Sequence, residues 1–148
     1  MSSSITHSVE ETAELAASLA NSAHKGDVIF LSGELGAGKT TFSAAFAHAL
    51  GVKEEVLSPT FVLARNYESG KLPLNHIDAY RLLESNLDDK HIIAQLAAAE
   101  LDEFLEDGVT IIEWGSSFAH MFKKRIEVDI AVLDETSRQF DITEVGEE

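Results

Sequence analysis

A chain of 148 residues with 45% hydrophobic composition is long enough to bury a sizeable core, and a single domain over 1–148 is expected. Eleven Lys and Arg against 26 Asp and Glu leave a formal charge of −15, a field that repels phosphate backbones and argues against unaided binding to RNA or DNA. The lack of cysteine excludes disulfides and thiolate metal sites, and with no basic-then-apolar leader and no apolar window of membrane-spanning length, a soluble cytoplasmic protein is expected.

In chain order, Ser8 followed by Glu11 is a capping-box pattern that opens a helix with Val9, Ala13, Ala16, Leu19 and Ala20 at helical spacing, stopping near Gly26. The few residues before it, and the terminal VGEE, are expected to be disordered. DVIFLS is a short β-branched and aromatic run, the pattern of a buried parallel strand. KTTFSAAFAHAL follows as a helix ended by Gly51. SPTFVLARNYE and LPLNHID flank SGK and read as an antiparallel pair over 60–78. A helix over 91–108 carries Ile92, Leu96, Ala99 and Phe104 toward one side and ends at Gly108, before VTIIEW as another buried strand. RIEVDIAVL and RQFDITEV alternate with period two around DETS, which predicts a terminal hairpin. The fold class expected is α/β, a three-layer sandwich with a mainly parallel sheet and antiparallel additions.

GELGAGKTTF, residues 33–42, stands where strand passes into helix. Gly33, Gly38, Lys39 and Thr40 satisfy G-x-x-x-x-G-K-[ST] at the junction that phosphate binding requires, which makes the expected fold a P-loop NTPase. On this reading Gly33, Gly36 and Gly38 supply positive φ values and leave out the Cβ that would block a phosphate. Lys39 reaches the β and γ phosphates, the helix N-terminus offers its N–H groups, and the Thr40 hydroxyl is placed for Mg²⁺. A glycine-rich turn with an incidental lysine is the plainer alternative, and the strand before and helix after argue against it.

Two carboxylates end neighbouring strands, Asp78 in LPLNHID and Glu113 in VTIIE. Either is in the layer where an open α/β sheet binds its ligand. Asp78 reads equally well as the N-cap of a short helix. Glu113 closes a wholly apolar strand and needs a partner to offset its desolvation, for which a metal ion is a natural choice. In LSPTF, Pro59 stiffens the entry to the next strand and leaves the Thr60 hydroxyl on a loop that could close over a γ-phosphate, although such a segment is most often only a turn. The six histidines show no zinc-like spacing. His76 shares a strand face with Asp78 and reads as a packed, hydrogen-bonded side chain, and the lone tryptophan, Trp114, reads as core next to Glu113.

Taken together and in this order, GELGAGKTTF, SPTF, HIDAYRL and IIEW resemble the TsaE (YjeE) family, over a stretch from the N-terminal helix to Trp114. The resemblance implies an ATPase required for threonylcarbamoyladenosine modification of tRNAs that read codons beginning with A. It implies ATP and Mg²⁺ as cofactors and, as partners, the TsaD–TsaB complex, which ATP hydrolysis resets between turnovers and which would carry the tRNA contacts. Position by position, Gly36, Ala37, Gly38, Lys39, Thr40 and Thr41 match the phosphate loop that Gly33, Glu34 and Leu35 lead into. Thr40 and Glu113 match the Mg²⁺ ligands, Asp78 the residue at the catalytic water or metal shell, Thr60 the switch-like threonine, and Thr12 a position near the nucleotide base. The chain differs from the family in having AAAELDEFL before the EW strand and GSSF after it.

Other P-loop roles are open to the same motif. A small-molecule kinase needs an acceptor pocket and usually several arginines around the transferring group, and this chain has four in all, at 65, 81, 125 and 138. A GTPase needs a guanine-reading N-K-x-D element, which does not occur. A nucleotide-gated binding module, with incidental hydrolysis, uses the same loop and is not distinguished by sequence.

Overall fold

The apolar runs and period-two segments assemble into one seven-stranded sheet among the described residues of a computed structural model, which are 2–34, 37–54, 64–78, 108–114, 119–120 and 122–146. The elements are β1 (Ser2–Thr6), α1 (Val9–Asn21), β2 (Val28–Gly33), α2 (Lys39–Ala49), β3 (Ala64–Tyr67), β4 (Leu74–Asp78), β5 (Val109–Glu113), β6 (Arg125–Val132) and β7 (Arg138–Val145). The strand order is β1-β7-β6-β2-β5-β4-β3. The four central strands run parallel through the β6/β2, β2/β5 and β5/β4 ladders. The β3/β4, β6/β7 and β1/β7 ladders are antiparallel, so both pairings expected as hairpins are formed.

Register explains the core. Ile29 and Leu31 of β2, Ile111 of β5, Val128 of β6 and Phe140 of β7 join Ala16 and Ala20 of α1 and Phe42 and Phe46 of α2 in one buried cluster. Each large apolar side chain so buried is worth about 1.5–3 kcal/mol relative to exposure. Phe42 stacks on Phe46 at 6.5 Å and on Phe140 at 5.7 Å between ring centroids, which fixes the first turn of α2 against β7. By alternation Phe30 and Ile112 face the other way and are also buried. There Phe30 meets Phe122 edge-on at 5.3 Å. The helix read over 91–108 lies, apart from Gly108, outside the described residues.

Three expectations change, two near the N-terminus and one at the C-terminus. Ser2–Thr6 is an edge strand paired with β7, not a disordered lead-in. Val145 ends β7 in register with Arg125, so VGEE is not wholly a loose tail. The α1 helix stops at Asn21, with Ser22 as its C-cap, well before Gly26. Its capping box is real, with the Glu11 N–H donated to Ser8 Oγ at 3.1 Å and the His7 N–H donated to Glu11 Oε1 at 3.0 Å. The buried stripe is Thr12, Ala16 and Ala20, while Val9 is 65% exposed. A first-turn residue points back past the helix end, so helical spacing alone overstates its burial.

Candidate functional site

The strands β2, β4 and β5 are parallel, so Gly33, Asp78 and Glu113 all lie at the carboxyl edge of the sheet, where open α/β folds place ligands. Asp78 and Glu113 are direct register partners. The loop after β2 turns back on itself through the Ala37 N–H donated to Glu34 O at 3.0 Å. It then enters α2 at Gly38, whose φ of 108° is left-handed and requires glycine.

Gly33 differs from its expected role. It does not adopt positive φ. Instead, a Cβ there would meet Ile130 O at 2.9 Å and Ala37 Cβ at 3.1 Å, so glycine lets the loop pass close against β6. Leu35, Gly36 and Thr60 lie outside the described residues, as does the side chain of Asp78.

The two helix N-termini contrast sharply. The α1 helix has a side-chain cap from Ser8 and acidic Glu10 and Glu11 in its first turn. In α2 there is no side-chain cap and no acidic residue in the first turn. Its ladder begins with the Phe42 N–H donated to Gly38 O at 2.9 Å, so the N–H groups of 39–41, including those of Thr40 and Thr41, precede it. Among the described residues, the positive end of the helix dipole therefore has no capping side chain and no acidic residue of its own first turn, which is the arrangement that receives an anion.

Lys39 folds over the loop that precedes it. Its Nζ donates to Gly33 O at 2.6 Å and to Glu34 O at 3.2 Å, and lies 4.2 Å from the Trp114 ring centroid. The side chain is buried although charged, and the carbonyls and aromatic face offset its desolvation. Trp114 has φ 63°, the one left-handed non-glycine among the described residues. Such a conformation costs about 1–3 kcal/mol and persists where the surroundings over-determine it. It turns the chain off β5 directly after Glu113 and carries the half-buried ring over the lysine, so Trp114 is more than core filling.

Glu113 is 4% exposed and His76 is fully buried. The His76 Nε2 is in direct hydrogen-bond contact with Glu113 Oε2. The partner expected for Glu113 was a metal ion; the partner that the described residues provide is the His76 imidazole. An ionised carboxylate only accepts, so Nε2 carries the proton in this contact.

Arg138 is a site residue that sequence reasoning missed. Its Nε donates to Ala37 O at 3.1 Å and its guanidinium also donates to Asp134 O at 2.8 Å and Ser137 O at 3.0 Å. It thereby ties the glycine-rich loop to the turn between β6 and β7. Beside this link lies a cavity of about 230 Å³ lined by Ser8, Val9 and Thr12 of the α1 end, by Ala37, Gly38 and Thr41, and by Glu135, Thr136, Arg138 and Phe140. Thr12 is thus brought to the loop, its hydroxyl sharing a 2.8 Å hydrogen bond with that of Thr6.

The turn is shaped by Asp134, which accepts from the Thr136 N–H at 2.9 Å and the Ser137 N–H at 2.7 Å. Those two backbone donors, Thr136 first, hold its carboxyl below the ordinary aspartate range. A depressed value means the turn's stabilisation is present at neutral pH and is lost as pH falls through the folded-state value. The amide proton shifts of Thr136 and Ser137 should therefore titrate together, below the range of ordinary aspartates. Titration within the ordinary range would remove Asp134 from this role.

Comparison with known proteins supplies the family. The family model described as threonylcarbamoyl adenosine biosynthesis protein TsaE matches residues 6–140. Relatives named tRNA threonylcarbamoyladenosine biosynthesis protein TsaE include one from Bacillus subtilis, 37% identical over 93% of this chain and 82% of its own. Another, from Streptomyces coelicolor, is 40% identical over 90% of both chains, and one from Mycobacterium tuberculosis is 41% identical over 79% of this chain and 70% of its own. The crystal structure of Bacillus subtilis YdiB superposes with a TM-score of 0.77 at 32% identity, covering 98% of this chain and 86% of that one. With a model match from β1 into β7 and relatives at this identity over most of their lengths, the chain belongs to the TsaE family.

Proposed function

We propose that this protein is a P-loop ATPase subunit of threonylcarbamoyladenosine synthesis on tRNA, acting in the cytoplasm as one domain that works on a TsaD–TsaB complex. The observation that carries the nucleotide reading is the start of α2. It opens from a left-handed Gly38 with no side-chain cap and no acidic residue, and a buried lysine lies at its first position. In this reading the loop amides and the α2 N-terminus hold the β and γ phosphates. The base enters the cavity between Thr12, Thr136 and Phe140.

The donor set at the carboxyl edge suits Mg²⁺, a hard cation that takes few protein oxygens alongside phosphate oxygens. Thr40 through its hydroxyl and Glu113 through its carboxylate would hold it, and bound there it would neutralise charge that develops on the phosphoryl group. Lys39 exchanges the loop carbonyls for phosphate oxygens. Asp78 and Thr60 orient the attacking water or report the γ-phosphate. Arg138 is already committed to three backbone carbonyls and Arg125 to Glu127 and Phe122 O. These commitments take two of the chain's four arginines away from a kinase acceptor site. The charge of −15 supports a division of labour in which the partners contact the tRNA.

The test is co-purification of this protein with TsaD and TsaB from the same organism, in ATP and in ADP, followed by ATPase rates on the mixture. Nucleotide-dependent association with hydrolysis stimulated by partners and tRNA is the expected result. Association without stimulation would convert the reading to a nucleotide-gated binding module, and no association with ATP binding intact would remove the tRNA assignment.

A further inference from the structure

A buried carboxylate at the end of an apolar strand has two oxygens to satisfy. In Glu113 one of them, Oε2, is engaged by the imidazole of His76, which reaches it diagonally across the β4/β5 ladder. His76 itself is fully buried, and its other ring nitrogen, Nδ1, is buried with no hydrogen-bond partner among the described residues. A histidine retained purely for packing would be expected to satisfy both nitrogens or to be replaced by an apolar residue, because an orphaned buried acceptor costs about 1–3 kcal/mol. The cost is accepted here for one contact, and that contact is with the carboxylate beside Lys39 and Trp114.

Arg65 stands opposite His76 in the β3/β4 ladder and on the same face. Its Nε is likewise buried without a hydrogen-bond partner among the described residues. A row of polar side chains therefore crosses β3, β4 and β5 beneath the site, in a sheet whose adjoining positions Leu74, Ile77, Ile111 and Ile112 are apolar and buried.

We propose that His76 is a positioning residue for Glu113. Its Nε2–H holds Oε2, fixes the carboxylate rotamer and leaves the second oxygen directed by that constraint for a cation bound with the nucleotide. The inference rests on the nucleotide reading above and deepens it. The hydrogen bond that orients a ligating carboxylate commonly controls 10- to 100-fold in metal affinity or activity.

The experiment compares the parent, His76→Leu and His76→Gln by calorimetric titration with ADP, in EDTA and in Mg²⁺, with melting temperature measured alongside. Gln retains a nitrogen donor near the Nε2 position, whereas Leu fills space without one. In EDTA all three variants should bind ADP alike, because the phosphate loop is untouched. The gain in ADP affinity on adding Mg²⁺ should fall about 10-fold or more in His76→Leu and return toward the parent in His76→Gln. The same Mg²⁺ gain in folded His76→Leu as in the parent would overturn the proposal, as would failure of folded His76→Gln to recover any of it. A parent that binds no ADP in either condition would instead overturn the nucleotide reading, so the two failures are distinct.

Discussion

Lys39→Ala abolishes measurable ATP binding while the protein stays folded. Each charge-assisted hydrogen bond that the ammonium would make to a bound phosphate is worth about 1.5–3 kcal/mol. Loss of two such bonds lowers affinity by roughly 10²- to 10⁴-fold. The structure adds a structural cost, since Nζ also bonds Gly33 O and Glu34 O and sits over Trp114. The loop is nevertheless held from elsewhere by Arg138 on Ala37 O and by the Phe42–Phe140 stack, so the variant should melt cooperatively. Lys39→Arg is not a conservative control: the planar fork does not fit a pocket shaped for a compact ammonium, and it should bind ATP nearly as poorly. Calorimetric titration with ATP checks both. Parental affinity in Lys39→Ala would defeat the P-loop assignment.

What could be read in advance follows from where the information sits along the chain. Strand β2, the loop and α2 are contiguous, so a buried apolar run, three glycines and a helical pattern announced them together. The β6/β7 pairing was legible because both strands alternate and DETS separates them. By contrast, β1 is polar at Ser2–Ser4 and its one large apolar residue, Ile5, is half exposed. It forms because β7 offers an unpaired edge and because Thr6 finds Thr12, neither of which is a local signal. The His76–Glu113 contact joins residues 37 apart in sequence, and depends on β4 lying beside β5, which the order of elements does not state. Arg138 reaches Ala37 across 101 residues for the same reason. Trp114 could not be singled out as left-handed, because the residues that signal such a conformation are glycine and asparagine.

Glu113→Ala lowers Mg²⁺-dependent turnover far more than it lowers nucleotide affinity. The carboxylate takes no part in the loop proposed to grip the phosphates, so ADP binding in EDTA should stay within a few-fold of the parent. Removing one preorganised charge-stabilising group from a phosphoryl-transfer site costs roughly 10²- to 10³-fold in rate, and that is the expected loss under partner-stimulated conditions. Alanine also strands the buried His76 Nε2–H, a desolvation penalty of about 1–3 kcal/mol, so stability falls as well as rate. Glu113→Gln separates the two effects. Its amide oxygen still accepts from His76 and restores the melting temperature, while the missing charge keeps turnover low. Recovery of both stability and turnover in Glu113→Gln would mean that Glu113 acts only as a structural acceptor for the imidazole. The catalytic carboxylate would then be sought at its register partner, Asp78.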